Sequence, residues 1–360
     1  MKILVLSSYN HSFNNRLPEI ETFVGLQKQD AEVTVMAKGI SESLDYYRKN
    51  GIEVIEDSPR KKIDSEYISR VKEKIVNENY DILHLLYGNT LRNGILAAFG
   101  TKVKVVAYFG STSLHWHDIT AYAKFLNPRV DKILCNSKHV TAHVKKQLLF
   151  NKEKATLVYK CFDTGWYKEY DPFNFEQIGI PKDSVIVTSV ARNTKVKGVK
   201  YFLESTYHIP PGKNVHFVHV GKYMDKPNIK KLIENSPYRD NIHILGYRTD
   251  AIELIKGSDI YVQTSLDEGL GRAISEACML KKPVVMTDAG GCTELIEANK
   301  GGFISELKKP KSIGENITKL IDDKDLRETM GASAYSYIHD NFNINTAVQN
   351  TYTEYRKLLG

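Results

Sequence analysis

Short β-branched runs alternate with helical patterns along the whole chain, and this alternation limits the folds open to it. In the first half the runs are KILVLSS, AEVTVMA, DILHLLY, KVKVVAYF and DKILCNS. Helical patterns fall at Ser65 to Asn77, Thr90 to Phe99, Asp118 to Leu126 and Lys138 to Leu149. The second half repeats the scheme with SVIVTSV, VHFVHVG, NIHILG, DIYVQTS and KPVVMTD. Nearly continuous apolar strands are buried on both faces, and strands that alternate with helices pair in parallel. The expected class is α/β, with two Rossmann-like, doubly wound parallel-sheet domains. The 360 residues agree with two cores, since single cores rarely grow beyond roughly 250 to 300 residues. An aromatic, proline-containing stretch between Asp163 and Ser184 reads as the linker. It divides a first domain, 1–168, from a second, 169–344, and the last helix, 345–360, is expected to return to the first.

Ligands of such sheets bind beyond the carboxyl ends of the strands. Two turns there carry chemistry. After SVIVTSV come Arg192 and, five residues on, Lys197 beside Gly198. A forked guanidinium and a flexible ammonium on one loop suit a pyrophosphate, although a solvated basic loop would read the same way. After DIYVQTS, Glu268 precedes Gly269 and Gly271, which open a short helix carrying Glu276; Gly290, Gly291 and Glu294 follow the next strand. Glycines let backbone amides approach a ligand, and a helix N-terminus attracts anions. Two carboxylates beside it accept hydrogen bonds from hydroxyls, so a sugar linked to a diphosphate is the fitting ligand.

Other classes are disfavoured. No apolar run approaches the roughly 20 residues that span a bilayer, and the first hydrophobic stretch is short for a signal peptide; a cytoplasmic protein is expected. Cys135, Cys161, Cys278 and Cys292 have neither metal-ligand nor C-x-x-C spacing. Cys292 follows two glycines, but no histidine base accompanies it. Asp323 and Asp325 form a D-x-D where a helix begins, a place that favours acids for the macrodipole alone. No metal and no cofactor are expected. The net charge of +7 is concentrated between Lys124 and Lys160, which hold nine basic residues against Asp131 and Glu153. That segment is either a solvated helix face or a surface for an anionic membrane or acceptor. Nucleic acid is not expected, for want of interleaved aromatics.

The order RNTKVKG, EGLGRAISEACMLKKPVV, AGGCTELI resembles the donor-binding half of retaining glycosyltransferases of family four, which have the two-domain GT-B fold. Echoes at DILHLLYG, ILCNSKHV, LVYKCFDTGWY and ILGYRTDAIELI extend the resemblance over nearly the full length. It implies a nucleotide-diphosphate sugar donor, a UDP- or GDP-sugar, and transfer to a glycan or lipid-linked acceptor with retention of configuration. A bacterial cell-surface polysaccharide pathway is the implied setting, with the protein at most peripheral on the inner face of the membrane. Arg192 and Lys197 would bind the diphosphate, Glu268 the sugar hydroxyls and Glu276 the ribose. The backbone of Leu270, Gly271, Arg272 and Ala273 would hold sugar and phosphate, with Tyr247 and Arg248 near the base.

The chain departs from the family in its first half. Asn14 and Asn15, before Arg16, stand where a glycine pair is usual; asparagine tolerates left-handed angles better than most residues. Phe109, before Gly110, stands where the family commonly has histidine. His115 or His117 is the candidate replacement in the cleft, against a reading as surface or packing histidines. His84, on an apolar strand, reads as core, and Trp116 as packing or a sugar platform. A non-catalytic partner that binds a nucleotide sugar fits these departures; the other alternative, a nucleotide-sugar isomerase of the same fold, would need acid/base residues in the first domain that the sequence does not offer.

Overall fold

The computed structural model describes residues 1–9 and 13–360. The chain forms two compact units, Met1–Cys161 with Phe342–Gly360, and Phe162–Asn341. The first sheet contains β1 (Lys2–Tyr9), β2 (Glu32–Gly39), β3 (Glu53–Ile55), β4 (Ile82–Leu85), β5 (Lys104–Phe109), β6 (Lys132–Cys135) and β7 (Ala155–Leu157), in the order β3-β2-β1-β4-β5-β6-β7. The second contains β8 (Val185–Val190), β9 (Val215–Val220), β10 (Ile242–Ile244), β11 (Ile260–Gln263), β12 (Val284–Thr287) and β13 (Gly302–Ser305), in the order β10-β9-β8-β11-β12-β13. Every pairing between these strands is parallel. The central strands are buried on both faces, as in β4 and β12, whose residues are all buried. In each sheet the strand order reverses beside the first strand, leaving a crevice between β1 and β4 and between β8 and β11.

Three strands have no counterpart in the sequence reading: β3, β7 and β13. All three are edges of three or four residues, each held by one neighbour. An edge buries less side chain than a central strand, so its apolar run is short. The helix read at 118–126 is helical only over Ile119–Tyr122. Beyond it the chain turns so that Phe125 packs edge-on against Phe109, ring centroids 4.6 Å apart.

The boundary between units falls at Cys161 and Phe162, ahead of the expected 168. Lys256 explains the shift: its Nζ donates to the carbonyls of Tyr167 and Tyr170, tying the linker to the second unit. The chain re-enters the first unit at Phe342, whose ring packs on Tyr159 at 4.7 Å. Asn343 then caps the helix Ile344–Leu359 by accepting from the Thr346 amide at 2.9 Å. That helix lies against Leu17–Gln27 at Gly25, where a Cβ would meet Val348 Cγ2 at 2.3 Å.

His84 confirms its core reading. It is 3% exposed, its Nδ1 pairs with the Tyr355 hydroxyl, and burial pushes its pKa down to about 3. His219 in the second unit is likewise held neutral, at about 4. Below the ordinary histidine value of 6.5 the unfolded chain binds protons that the folded chain refuses. Each buried ring therefore removes up to about 1.4 kcal/mol of stability per pH unit as pH falls from 6.5 toward these values. Urea titrations between pH 7 and 4 should show that decline, and a His84→Leu, Tyr355→Phe pair should remove the His84 share of it, leaving that of His219.

Candidate donor site in the second unit

The crevice between β8 and β11 brings the two motif loops together. Leu266 donates its amide to the Val196 carbonyl at 2.7 Å, and Thr264 Oγ1 donates to the Gly198 carbonyl at 3.0 Å. Gly198 has φ +59°, and a Cβ there would lie 2.0 Å from the Thr264 carbonyl oxygen, so only glycine permits this approach. The contact sets Lys197 Nζ 2.6 Å from Glu268 Oε2, although 71 residues separate them. Glu268 is also pinned by its backbone: its amide donates to Ala289 O at 2.7 Å, and its carbonyl accepts from Gly291 N at 3.0 Å. Thus the Gly290-Gly291 turn supports the loop.

A buried polar chain runs up β11 to the same carboxylate. The Tyr261 hydroxyl bonds Gln263 Oε1 at 2.8 Å, Gln263 Nε2 bonds Ser265 Oγ at 2.8 Å, and Ser265 Oγ bonds Glu268 Oε2 at 3.1 Å. Only one polarity satisfies all three contacts. An ionised carboxylate only accepts, so the single Ser265 proton goes to Glu268; Gln263 must then give nitrogen to Ser265 and oxygen to Tyr261. Every donor in the chain points toward Glu268. Sequence reasoning missed these residues, yet a signal was present: the i, i+2 spacing of Tyr261, Gln263 and Ser265 places three polar groups on one face of a buried strand.

Gly271, at φ +91°, begins the helix Arg272–Met279 and supplies no side-chain cap. The first-turn amides, among them those of Arg272 and Ala273, therefore stand at an uncapped N-terminus; Leu270 beside them is buried. Glu276 is 6% exposed. Its Oε1 lies 2.7 Å from Arg272 Nη2, but the pair is misaligned and this buried oxygen accepts no hydrogen bond. Burial pushes the Glu276 carboxyl above the usual range, and Arg272 opposes that shift. An unsatisfied buried oxygen is costly unless a ligand donates to it.

The remaining donor-side candidates surround this centre. Arg192 is exposed, with no carboxylate partner among the described residues. Its loop is fixed by Asn193, whose amide donates to Lys222 O at 2.9 Å, and by Gly221, where a Cβ would meet Ala191 O at 1.8 Å. Tyr247 is 67% exposed, with Lys222 Nζ 4.5 Å from its ring centre. Arg248 is engaged elsewhere, its Nε donating to Asp250 at 2.8 Å. Cys292 is buried and its thiol is pushed up to about 12, chiefly by burial, which excludes an activated nucleophile. Asp323 caps the following helix through the Leu326 amide at 2.8 Å. Among the described residues no three His, Cys, Asp or Glu side chains cluster as metal ligands would.

In the first unit the candidates are dispersed. Asn15 is exposed in the 3-10 turn Phe13–Asn15, and neither it nor Asn14 takes a positive φ, so the left-handed turn expected there is replaced by a 3-10 turn. Arg16 is buried: it donates to Ser8 O at 3.3 Å, lies 3.5 Å from Glu19 and stacks 4.0 Å over Tyr87. A Cβ on Gly110 would meet the Tyr108 hydroxyl at 2.8 Å. Phe109 belongs to the core cluster. His115 and His117 are exposed and stack on each other at 5.3 Å.

Comparisons with known proteins bear on the family and the fold. Residues 171–337 match the glycosyl transferases group 1 family and residues 21–166 match glycosyltransferase family 4. The N-acetyl-alpha-D-glucosaminyl L-malate synthase of Bacillus anthracis is 24% identical over 306 residues, covering 81% of this chain and 78% of that protein. A glycosyltransferase structure from Rickettsia africae superposes with a TM-score of 0.80 at 21% identity, covering 99% and 98% of the two chains. Anabaena HepE, solved in complex with UDP and glucose, gives 0.78 at 20% identity, covering 99% and 100%. With one glycosyltransferase family model matched to each half and two doubly wound sheets, the chain belongs to glycosyltransferase family 4 and has the GT-B architecture.

Proposed function

We propose that the protein transfers a sugar, with retention of configuration, from a UDP- or GDP-sugar to a glycan or glycolipid acceptor in the making of a cell-surface polysaccharide. The observation that carries the donor half is the meeting of Lys197 and Glu268 in the β8–β11 crevice, next to a helix N-terminus and the unsatisfied oxygen of Glu276. Lys197 and Arg192 receive the diphosphate. The Arg272 and Ala273 amides add positive potential where the leaving phosphate gains charge. Glu276 accepts from ribose hydroxyls, and Glu268 from the transferred sugar. The complex of HepE with UDP and glucose supports a uridine donor, and the Bacillus anthracis synthase is named for an N-acetylglucosaminyl group.

Retention follows if the acceptor hydroxyl attacks from the face the diphosphate leaves, with a donor phosphate oxygen taking the acceptor proton. No side chain is assigned as general base. Leaving-group charge then rests on Lys197, Arg192 and backbone amides. We accordingly expect transfer to continue in excess chelator. Complete loss that manganese or magnesium restores would overturn that expectation.

The burial of Phe109 in place of the family's histidine favours one alternative, a non-catalytic partner that binds the nucleotide sugar. Product analysis separates the two, because the partner would leave donor and acceptor unchanged. The direct test of the donor site is thermal unfolding with UDP-, GDP-, ADP- and dTDP-sugars. A ligand at about 100 times its dissociation constant stabilises by about 2.7 kcal/mol. Absence of a shift with every nucleotide sugar would sink the reading.

A further inference from the structure

The first unit contains a cavity of about 50 Å³, open on one side, between the helix Leu17–Gln27 and the carboxyl-terminal halves of β4, β5 and β6. Phe23, Leu86, Leu134 and Val158 make most of its wall apolar. One water needs roughly 10–15 Å³, so there is room for a group of several heavy atoms. Two polar side chains also line it, Glu19 from the helix above and His84 from β4 below, and they are only 7% and 3% exposed.

Each of the two brings an unused polar atom, and the two atoms are of opposite kind. Glu19 Oε1 accepts from Ser7 Oγ at 3.1 Å, but no hydrogen bond reaches Oε2; Arg16 Nη1, 3.5 Å away, is misaligned with it. His84 Nδ1 pairs with the Tyr355 hydroxyl, and Nε2 has no partner. Tyr355 fixes the tautomer. Its hydroxyl makes no other hydrogen bond among the described residues, so its proton goes to Nδ1 and the single proton of the neutral ring sits on Nε2. The cavity thus offers an acceptor from the helix side, a donor from the sheet side and apolar wall around them. Both atoms are costly to bury unpaired. An ammonium would satisfy Glu19 and oppose the His84 N–H, and water would leave the apolar wall wet. A secondary amide bearing a methyl group meets all three demands, because its planar bond points N–H and C=O in opposite directions.

We infer that the cavity receives the acetamido group of an N-acetylated sugar, its N–H donating to Glu19 Oε2, its carbonyl accepting from His84 Nε2 and its methyl lying against the apolar wall. The rest of the rim suits a sugar ring. Half-buried Tyr87 and Tyr108, their rings 6.2 Å apart, and Lys160, whose Nζ lies 4.9 Å over the Tyr108 ring, combine apolar area with polar tips. Naming that sugar as part of the acceptor rests on the proposed function. The acetamido pocket itself does not.

The test is binding of methyl N-acetylglucosaminide to the full chain without donor, by ligand-observed NMR titration, against methyl glucosaminide and methyl glucoside. The acetamido compound should bind at least about tenfold more tightly than either, since each of the others leaves one of the two buried atoms unpaired. In Glu19→Gln, Ser7 holds the amide oxygen on its own side and an NH₂ faces the ligand's N–H, so affinity should fall about tenfold or more. The His84→Leu, Tyr355→Phe pair should lose a similar factor, and circular dichroism checks that both variants keep the fold. Equal binding of the three glycosides, undiminished binding by Glu19→Gln, or no binding at all would overturn the inference, the last leaving the cavity to water. Product analysis with the nucleotide sugar that gives the largest thermal shift then tests the acceptor assignment: a glycosylated glycoside supports it, and a glycoside recovered unchanged while donor is consumed overturns it. The thermal shifts are read separately, so failure here leaves the donor reading standing and failure there leaves the pocket.

Discussion

Replacing Lys197 by alanine is expected to weaken binding of the free nucleoside diphosphate by about ten- to hundredfold, the equivalent of one charge-assisted hydrogen bond of roughly 1.5–3 kcal/mol. The ammonium is held within 2.6 Å of Glu268 by the contact of the two loops. In the mutant that carboxylate remains, still bonded to Ser265 but without its cation. It would then repel the incoming phosphate, so the loss should exceed that of Arg192→Ala, whose side chain has no carboxylate partner among the described residues. Adding Glu268→Gln to Lys197→Ala should restore part of the diphosphate affinity, and a double-mutant cycle measures that coupling. Titration calorimetry with the nucleoside diphosphate that gives the largest thermal shift reads all four variants, Glu268→Gln alone included. An unchanged dissociation constant for Lys197→Ala would remove the pair from the site.

That pair was legible only in part. The alternation of strands and helices gave the sheet class because near-continuous apolar runs separated by helical patterns are what strands buried on both faces of a parallel sheet require. The glycines beside Lys197 and Glu268 marked where backbone had to come close, and Gly198 proves to be the contact itself. The ion pair was not legible, because each residue was read as a ligand to substrate and nothing in sequence spacing reveals that they meet 71 residues apart. The Tyr261, Gln263 and Ser265 chain escaped because polar residues in an apolar strand look like isolated exceptions until their common face is considered. Arg16 follows the first strand in sequence, and nothing in its spacing announces the buried Glu19 that lies 3.5 Å from it. The edge strands failed because tertiary pairing, more than their own composition, makes them strands.

The two glutamates of the motif look equivalent in sequence, and their surroundings predict different losses. Glu268 is exposed enough to reach a ligand, and its orientation is imposed by Lys197, Ser265 and the backbone ties to Ala289 and Gly291. On the proposed function it faces the sugar whose anomeric carbon gains positive charge in the transition state, so its loss should fall mainly on turnover. A preorganised group of this kind is worth about a hundredfold or more in kcat. Ser265→Ala, which removes the last donor in the chain, should lower turnover in the same direction by less, with nucleoside-diphosphate affinity preserved. On the same proposal Glu276 meets ribose, which does not change during reaction, so Glu276→Gln should raise KM with kcat nearly unchanged. Burial raises its carboxyl above the usual range in the free protein. Ribose hydroxyls prefer the ionised form, so a proton must leave when donor binds to the protonated site. Donor affinity should therefore fall as pH falls through that raised value, and Glu276→Gln should lose this dependence. Steady-state kinetics with the donor, together with direct binding of the nucleoside diphosphate across pH, decides the matter. If Glu268→Ala kept near-normal turnover, or cost no more turnover than Glu276→Gln, the two carboxylates would share one role and the division argued from their environments would be wrong.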